Sequence, residues 1–171
     1  MPSRLEGTFS FPGPIYIGSG TIPPSCVSDA NVAGDAAIAA TKIEQQYPIR
    51  YTQDDGTDVV AAIVPVYTVR GVSATIVEVD VVCIDAPEGG DKEFTVDVGK
   101  CNAGSPAPAT ILTGVVEYDV DTPDCTVLEG TIDTAALAAG DTLVVTVAVS
   151  GSSGNQGQGL VVTVTIREDA E

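Results

Sequence analysis

The chain has 171 residues and carries 24 carboxylates against seven cations, a net charge of −17, yet only 18% of its residues are charged and 44% are apolar. That length supports one well-filled core, or one domain with an extension, and the apolar content excludes the disordered class despite the charge. The few, scattered cations exclude clustered phosphate binding, so neither nucleic acid nor an anionic membrane surface is expected as a partner, and strong like charge favours solubility.

Charge also divides the chain. Residues 1–50 hold three cations and four carboxylates, whereas residues 51–171 hold four cations and twenty carboxylates. Residues 1–27 have no steady hydrophobic period, and Phe9, Phe11, Ile15, Tyr16 and Ile17 stand among frequent Pro and Gly. Prolines at this density forbid a helix and favour extended chain. Aromatics left in water expose apolar area, so residues 1–27 are expected to be an arm that lies along a partner surface through those five side chains. The alternative is a strand folded back on its own domain. The segment lacks the continuous apolar stretch of a signal peptide and no apolar run is long enough for a membrane span, so synthesis in a cytoplasm is expected.

Residues 28–48 read as a short Ala-rich helix and linker. Val32, Ala36, Ala39 and Ile43 form a stripe at helical spacing, Asp29 or Asp35 can cap its start, and Pro48 forces a stop, which predicts a helix over about 35–46. The narrow stripe, with Tyr47 beyond it, suits either packing on the chain's own body or contact between copies of the chain.

Residues 49–171 read as all-β. Strands are expected over 58–69, where Pro65 argues for an edge or a bulge, and over 74–85, where Val77, Val79, Val81 and Cys83 would share one face. Further strands are expected around Phe94, Val96 and Val98, over 110–116, over 125–132, over 143–149 and over 160–167. Residues 101–109 form a loop, 117–124 an acidic loop, 134–141 a single helical turn stopped by Gly140, and 150–159 a flexible hairpin connection. Seven or eight short strands with turn signals between them predict an antiparallel β-sandwich of jelly-roll or immunoglobulin-like kind, with an extended N-terminal arm and one short helix.

Enzymatic machinery is thin, and no enzyme activity is expected. The chain has no histidine, which removes the usual imidazole base, and no phosphate loop stands between a strand and a helix. Cys26, Cys83, Cys101 and Cys125 follow no metal-ligand spacing. Cys83 is expected to be a small buried hydrophobe, and Cys101 and Cys125 could face each other, though a reducing compartment would keep them as thiols. Calcium is the one metal worth weighing, at Asp54, Asp55 and Asp58 or at Glu117, Asp119, Asp121 and Asp124, but neither group has the EF-hand pattern and solvated acidic loops are expected instead. No cofactor and no metal site is expected.

The segment DANVAGDAAIAATKI (29–43) resembles a D-x-x-V…AAIAxTK segment near the N-termini of structural proteins of tailed bacteriophages. RYTQDDGTDVVAAIVPVY, DAPEGGDKEFTVDV and the final two strands resemble capsid decoration (cement) and head-fibre proteins of such phages. The resemblance implies a small β-domain protein of the virion, often a homotrimer, that binds the outer surface of the major capsid protein's shell and braces adjacent capsomers. It supplies no catalytic residues. The alternative is a head or tail fibre knob that binds host-surface glycan through loops 101–109 and 150–159. Those loops contain no aromatic residue to stack on a sugar. A hydrolase is disfavoured by the missing bases, and a bacterial surface domain by the missing signal.

Overall fold

A computed structural model describes residues 45–102, 105, 107–151 and 154–168. The predicted arm, with Phe9, Phe11, Ile15, Tyr16 and Ile17, and the predicted stripe of Val32, Ala36, Ala39 and Ile43 lie outside the described residues. Within them ten strands form: β1 (Gln45–Thr52), β2 (Ala62–Thr68), β3 (Ser73–Asp85), β4 (Glu93–Cys101), β5 (Ala109–Thr110), β6 (Val116–Tyr118), β7 (Val127–Glu129), β8 (Ala136–Ala138), β9 (Thr142–Ser150) and β10 (Gln158–Glu168).

The strands make two antiparallel sheets. One runs β1-β10-β3-β7, with β8 also on β3, and the other runs β2-β9-β4-β5, with β6 also on β4. Pairing is nested: β1 with β10, β2 with β9, β3 with β7 and β8, β4 with β5 and β6. This is the winding of a jelly roll, in which β5 with β6, and β7 with β8, are each two pieces of one interrupted strand. The expected antiparallel sandwich is therefore found.

Alternation builds the core. Val79, Val81 and Cys83 of β3, Phe94, Val96 and Val98 of β4, Leu143, Val145 and Val147 of β9, and Leu160, Val162, Val164 and Ile166 of β10 are all buried between the sheets. Buried Cys83 behaves as expected, and burial pushes its thiol up to about 11. Val77 departs from the expected face and is 42% exposed. Thr165 opposes Glu78 while Ile166 opposes Ile76, so Val77 is the extra residue of a β-bulge. Upstream of the bulge the parity reverses, and Ile76 and Ala74 are the buried residues. Pro65 sits on an edge strand and next to a register shift, so both options weighed for it hold together.

Four further expectations need correction. The predicted short helix is not borne out where it meets the described chain, since Gln45 and Gln46 begin β1 and no helix occurs among the described residues. Tyr47, Ile49 and Tyr51 alternate inward against Ile166, Val164 and Val162, a period of two that makes residues 45–52 a strand. Pro48 does not stop a helix; it lies inside an edge strand, where a missing ladder donor is tolerated. Residues 136–138 are strand rather than a helical turn, because Leu137 is buried and the segment ladders onto Ser73–Thr75 of β3.

The segment 150–159 does not join a hairpin: β9 and β10 belong to different sheets, so the connection crosses the sandwich end. Cys101 and Cys125 stay thiols, as expected, and lie apart. Cys101 pairs with Thr142 at one end of the sandwich, Cys125 donates its N–H to Cys83 at the other, and both are free thiols.

Candidate interaction surfaces

Two ends, two lateral edges and two outer faces make up the body's surface. The loops 53–61, 86–92 and 119–126 gather at one end with residues 151 and 154–157. Val59 donates to Gly157 at 2.8 Å, Glu88 and Asn155 exchange backbone bonds, and Asp124 accepts from the Ala86 N–H at 2.9 Å. These loops and the adjoining residues Asp85 and Glu93 carry ten carboxylates, with Lys92 as their one cation. The acidity seen along the sequence is therefore concentrated in space. Even so, among the described residues no group of three His, Cys, Asp or Glu side chains could hold a metal ion.

At the opposite end lie Arg70, Lys100 and Arg167, together with residue 45, where the described chain begins beside Glu168. Lys100 donates to the Ala136 carbonyl at 2.9 Å and stands 3.8 Å from Asp141, whose buried carboxylate also accepts from the Ala138 N–H. The charge division is thus an axis through the sandwich as well as a division of the chain.

Tyr47 is the one predicted contact residue within the described chain. It is half-buried at the β1/β2 edge, where its ring stands edge-on to Tyr67 at 6.0 Å and its hydroxyl lies 2.7 Å from that of Tyr67. Tyr67 donates in turn to Glu168. The chain Tyr47–Tyr67–Glu168 ties β1, β2 and β10 together where two sheet edges would otherwise gape. Burial, then the Glu168 carboxylate, raise the Tyr67 hydroxyl, while the Tyr67 hydrogen bond holds Glu168 below the usual carboxylate range.

The signs give a pH profile. A raised phenol contributes stability that is complete below its unfolded value and lost as pH rises through the folded one. A depressed carboxylate contributes stability above its unfolded value, lost as pH falls through the folded one. Tyr67→Phe is expected to cost about 1 kcal/mol at neutral pH and to flatten both limbs; chemical denaturation across pH 3–11 checks this.

The two lateral edges differ. At one, the edge strands β1 and β2 carry Arg50 and no carboxylate. Beside it, Ala61–Ile63 and Thr146–Val149 line an apolar groove on the outer face, with Ile63 70% exposed. At the other edge, β6 and β7 carry Glu117 and Glu129 and no cation. A cleft of about 320 Å³ there is lined by residues 113–117 and 128–131, with Val115 53% exposed. Sequence reasoning singled out none of Arg50, Ile63, Val115 or Glu129 as contact residues. The alternation of Tyr47, Ile49 and Tyr51 could have placed Arg50 outward, but edge position depends on strand order. The loops 101–109 and 150–159 suggested for glycan recognition start at opposite ends: Cys101 pairs with Thr142 at one, while Ser150 pairs with Glu93 at the other.

No protein-family model matches the chain, and no curated protein does. Among solved structures, a chain of the capsid of Ralstonia phage GP4 superposes with a TM-score of 0.51 at 14% identity, over 76% of this chain and 87% of that one. Weaker superpositions are with chains of desmodium yellow mottle tymovirus (TM-score 0.41, 9% identity, 91% of this chain and 96% of that one) and of turnip yellow mosaic virus (0.33, 11%, 75% and 94%). The first of these likenesses establishes a shared fold.

Proposed function

We propose that this chain is a structural protein of a virion. In this reading it is a trimeric cement protein that binds the outer surface of a phage capsid's major shell protein and stabilises adjacent capsomers. The observation that carries the reading is the fold shared with a chain of the Ralstonia phage GP4 capsid. The sequence resemblance to phage decoration proteins points the same way. The charge axis supports an orientation: the acidic loop end faces solvent, and the end where residue 45 begins β1 turns towards the shell. The arm, residues 1–27, then lies on the shell through Phe9, Phe11, Ile15, Tyr16 and Ile17. Repetition over a symmetric surface multiplies weak contacts by avidity. A fibre knob that binds glycan is the weaker reading, since its two candidate loops start at opposite ends of the sandwich.

Deleting residues 1–27 is expected to abolish co-sedimentation with capsids that lack the protein, while the body keeps its folded circular-dichroism spectrum. Unchanged shell binding by the truncated protein would remove the arm from the account.

A further inference from the structure

The strand registers place complementary residues at opposite edges of each sheet. In the first sheet Arg50 of β1 opposes Thr163, Thr163 opposes Asp80, and Asp80 opposes Glu129 of β7. One outward-facing row thus begins in a cation and ends in a carboxylate. In the second sheet Ile63 of β2 opposes Thr146, and Thr146 opposes Asp97. The β4–β6 ladder sets Val96, next to Asp97, against Val116, and Val115 adjoins the end of that ladder. This sheet thus carries an exposed aliphatic side chain at each edge, Ile63 at one and Val115 at the other.

The two rows also lie at matching heights. Tyr47 meets Tyr67, and Gln53 exchanges two hydrogen bonds with the Val60 backbone, so the midpoint of β1 near Arg50 faces the part of β2 near Ile63. At the far edge Val115 and Glu129 line one cleft.

We propose that the β1/β2 edge of one copy packs against the β6/β7 edge of the next, pairing Ile63 with Val115 and Arg50 with Glu129. The occupant of this surface is a second copy of the same chain. Charge complementarity argues for that choice: the strands of one edge bear a cation without carboxylates and those of the other bear carboxylates without a cation. Strand direction agrees, because β1 and β7 run opposite ways within their sheet, as do β2 and β6, so abutting edges meet antiparallel. Cross-strand pairs of these two kinds stabilise sheets, and covering the edges removes unpaired backbone. A head-to-tail contact of this kind closes into a ring when its rotation permits. All copies then point the same way, with their acidic ends on one face. The proposal names the joint of the trimer proposed above and rests on that self-association.

Native mass spectrometry of the full chain tests it. The wild type is expected as a closed oligomer, and Ile63→Asp and Val115→Asp each as monomers. Mixing these two variants should give a two-copy species and nothing larger, because only one joint is intact. Arg50→Glu and Glu129→Arg should each weaken the oligomer, and the double variant should restore it, which serves if an Asp variant fails to fold. A monomeric wild type, variants that keep the wild-type mass, or a mixture that stays monomeric would overturn the joint. If Ile63→Asp dissociates the oligomer while Val115→Asp does not, the contact is a two-fold one and the proposal also fails. Sedimentation of the wild type with shells reports on the virion function separately.

Discussion

Phe94→Ala is expected to destabilise the protein by about 3–5 kcal/mol, the range for truncating a fully buried aromatic. Phe94 is fully buried in β4 and stacks on Tyr118 with ring centroids 5.1 Å apart and planes within 6°. Tyr118 reaches across the sandwich, its hydroxyl accepting from the Cys83 N–H at 3.3 Å and donating to the Thr126 carbonyl. Removing Phe94 therefore opens a cavity and also unseats the residue that fixes the 119–126 loop at the acidic end. In a domain whose total stability is on the order of 5–15 kcal/mol, such a loss takes a large fraction of it. Urea unfolding followed by circular dichroism should show the midpoint fall with an unchanged slope. A loss under about 1 kcal/mol, the ordinary effect of a point substitution, would mean that the aromatic pair does not organise this end.

Gly154→Ala carries the second large effect. Gly154 has φ +107°, and a Cβ there would stand 2.3 Å from the Glu88 carbonyl oxygen and 2.4 Å from that of Gly89. Both obstacles are backbone, held by the reciprocal Glu88–Asn155 bonds, so the loop cannot yield by turning a side chain. The left-handed backbone alone costs about 1–3 kcal/mol, and displacement of the 86–92 loop adds to it. Gly56, which has open space around it, should accept Ala with little change. Thermal midpoints of the two variants make the comparison, and equal midpoints would contradict the packed end described here.

Much of the architecture was legible because alternation reports the inner face directly. Val79, Val81 and Cys83, or Leu160, Val162, Val164 and Ile166, each announce a strand half-buried in a sandwich. Alternation does not report partners. The strands on either side of residues 150–159 looked like a hairpin because a Gly-rich link between two alternating runs has that form. Their actual partners, β2 with β4 and β1 with β3, lie far away in sequence. The glycines there serve close passage: at Gly154 the backbone runs against the neighbouring loop.

Local rules also failed where tertiary pairing decided the outcome. Ala136–Ala138 has helix-forming residues, yet the buried Leu137 and the edge of β3 draw it into a ladder. At Val77 one extra residue turned a correct period into a wrong face. The residues proposed for the joint were the least legible of all. Arg50, Ile63, Val115 and Glu129 carry no motif, and only strand order reveals that they stand at opposite edges.

The two proposals meet in one picture of the charge. Ten carboxylates crowd the loop end, the chain enters β1 at the other, and the edges between bear opposite signs. Such a body would sit in a ring with its acidic face outward and its arms on a shell. Uptake of the full-length protein by purified phage shells that lack it tests this most directly, read as protein co-sedimenting at increasing concentration. Saturable binding that levels off at a whole number of copies per capsomer is expected. Protein that stays in the supernatant at every concentration, or binds without saturation, would contradict it.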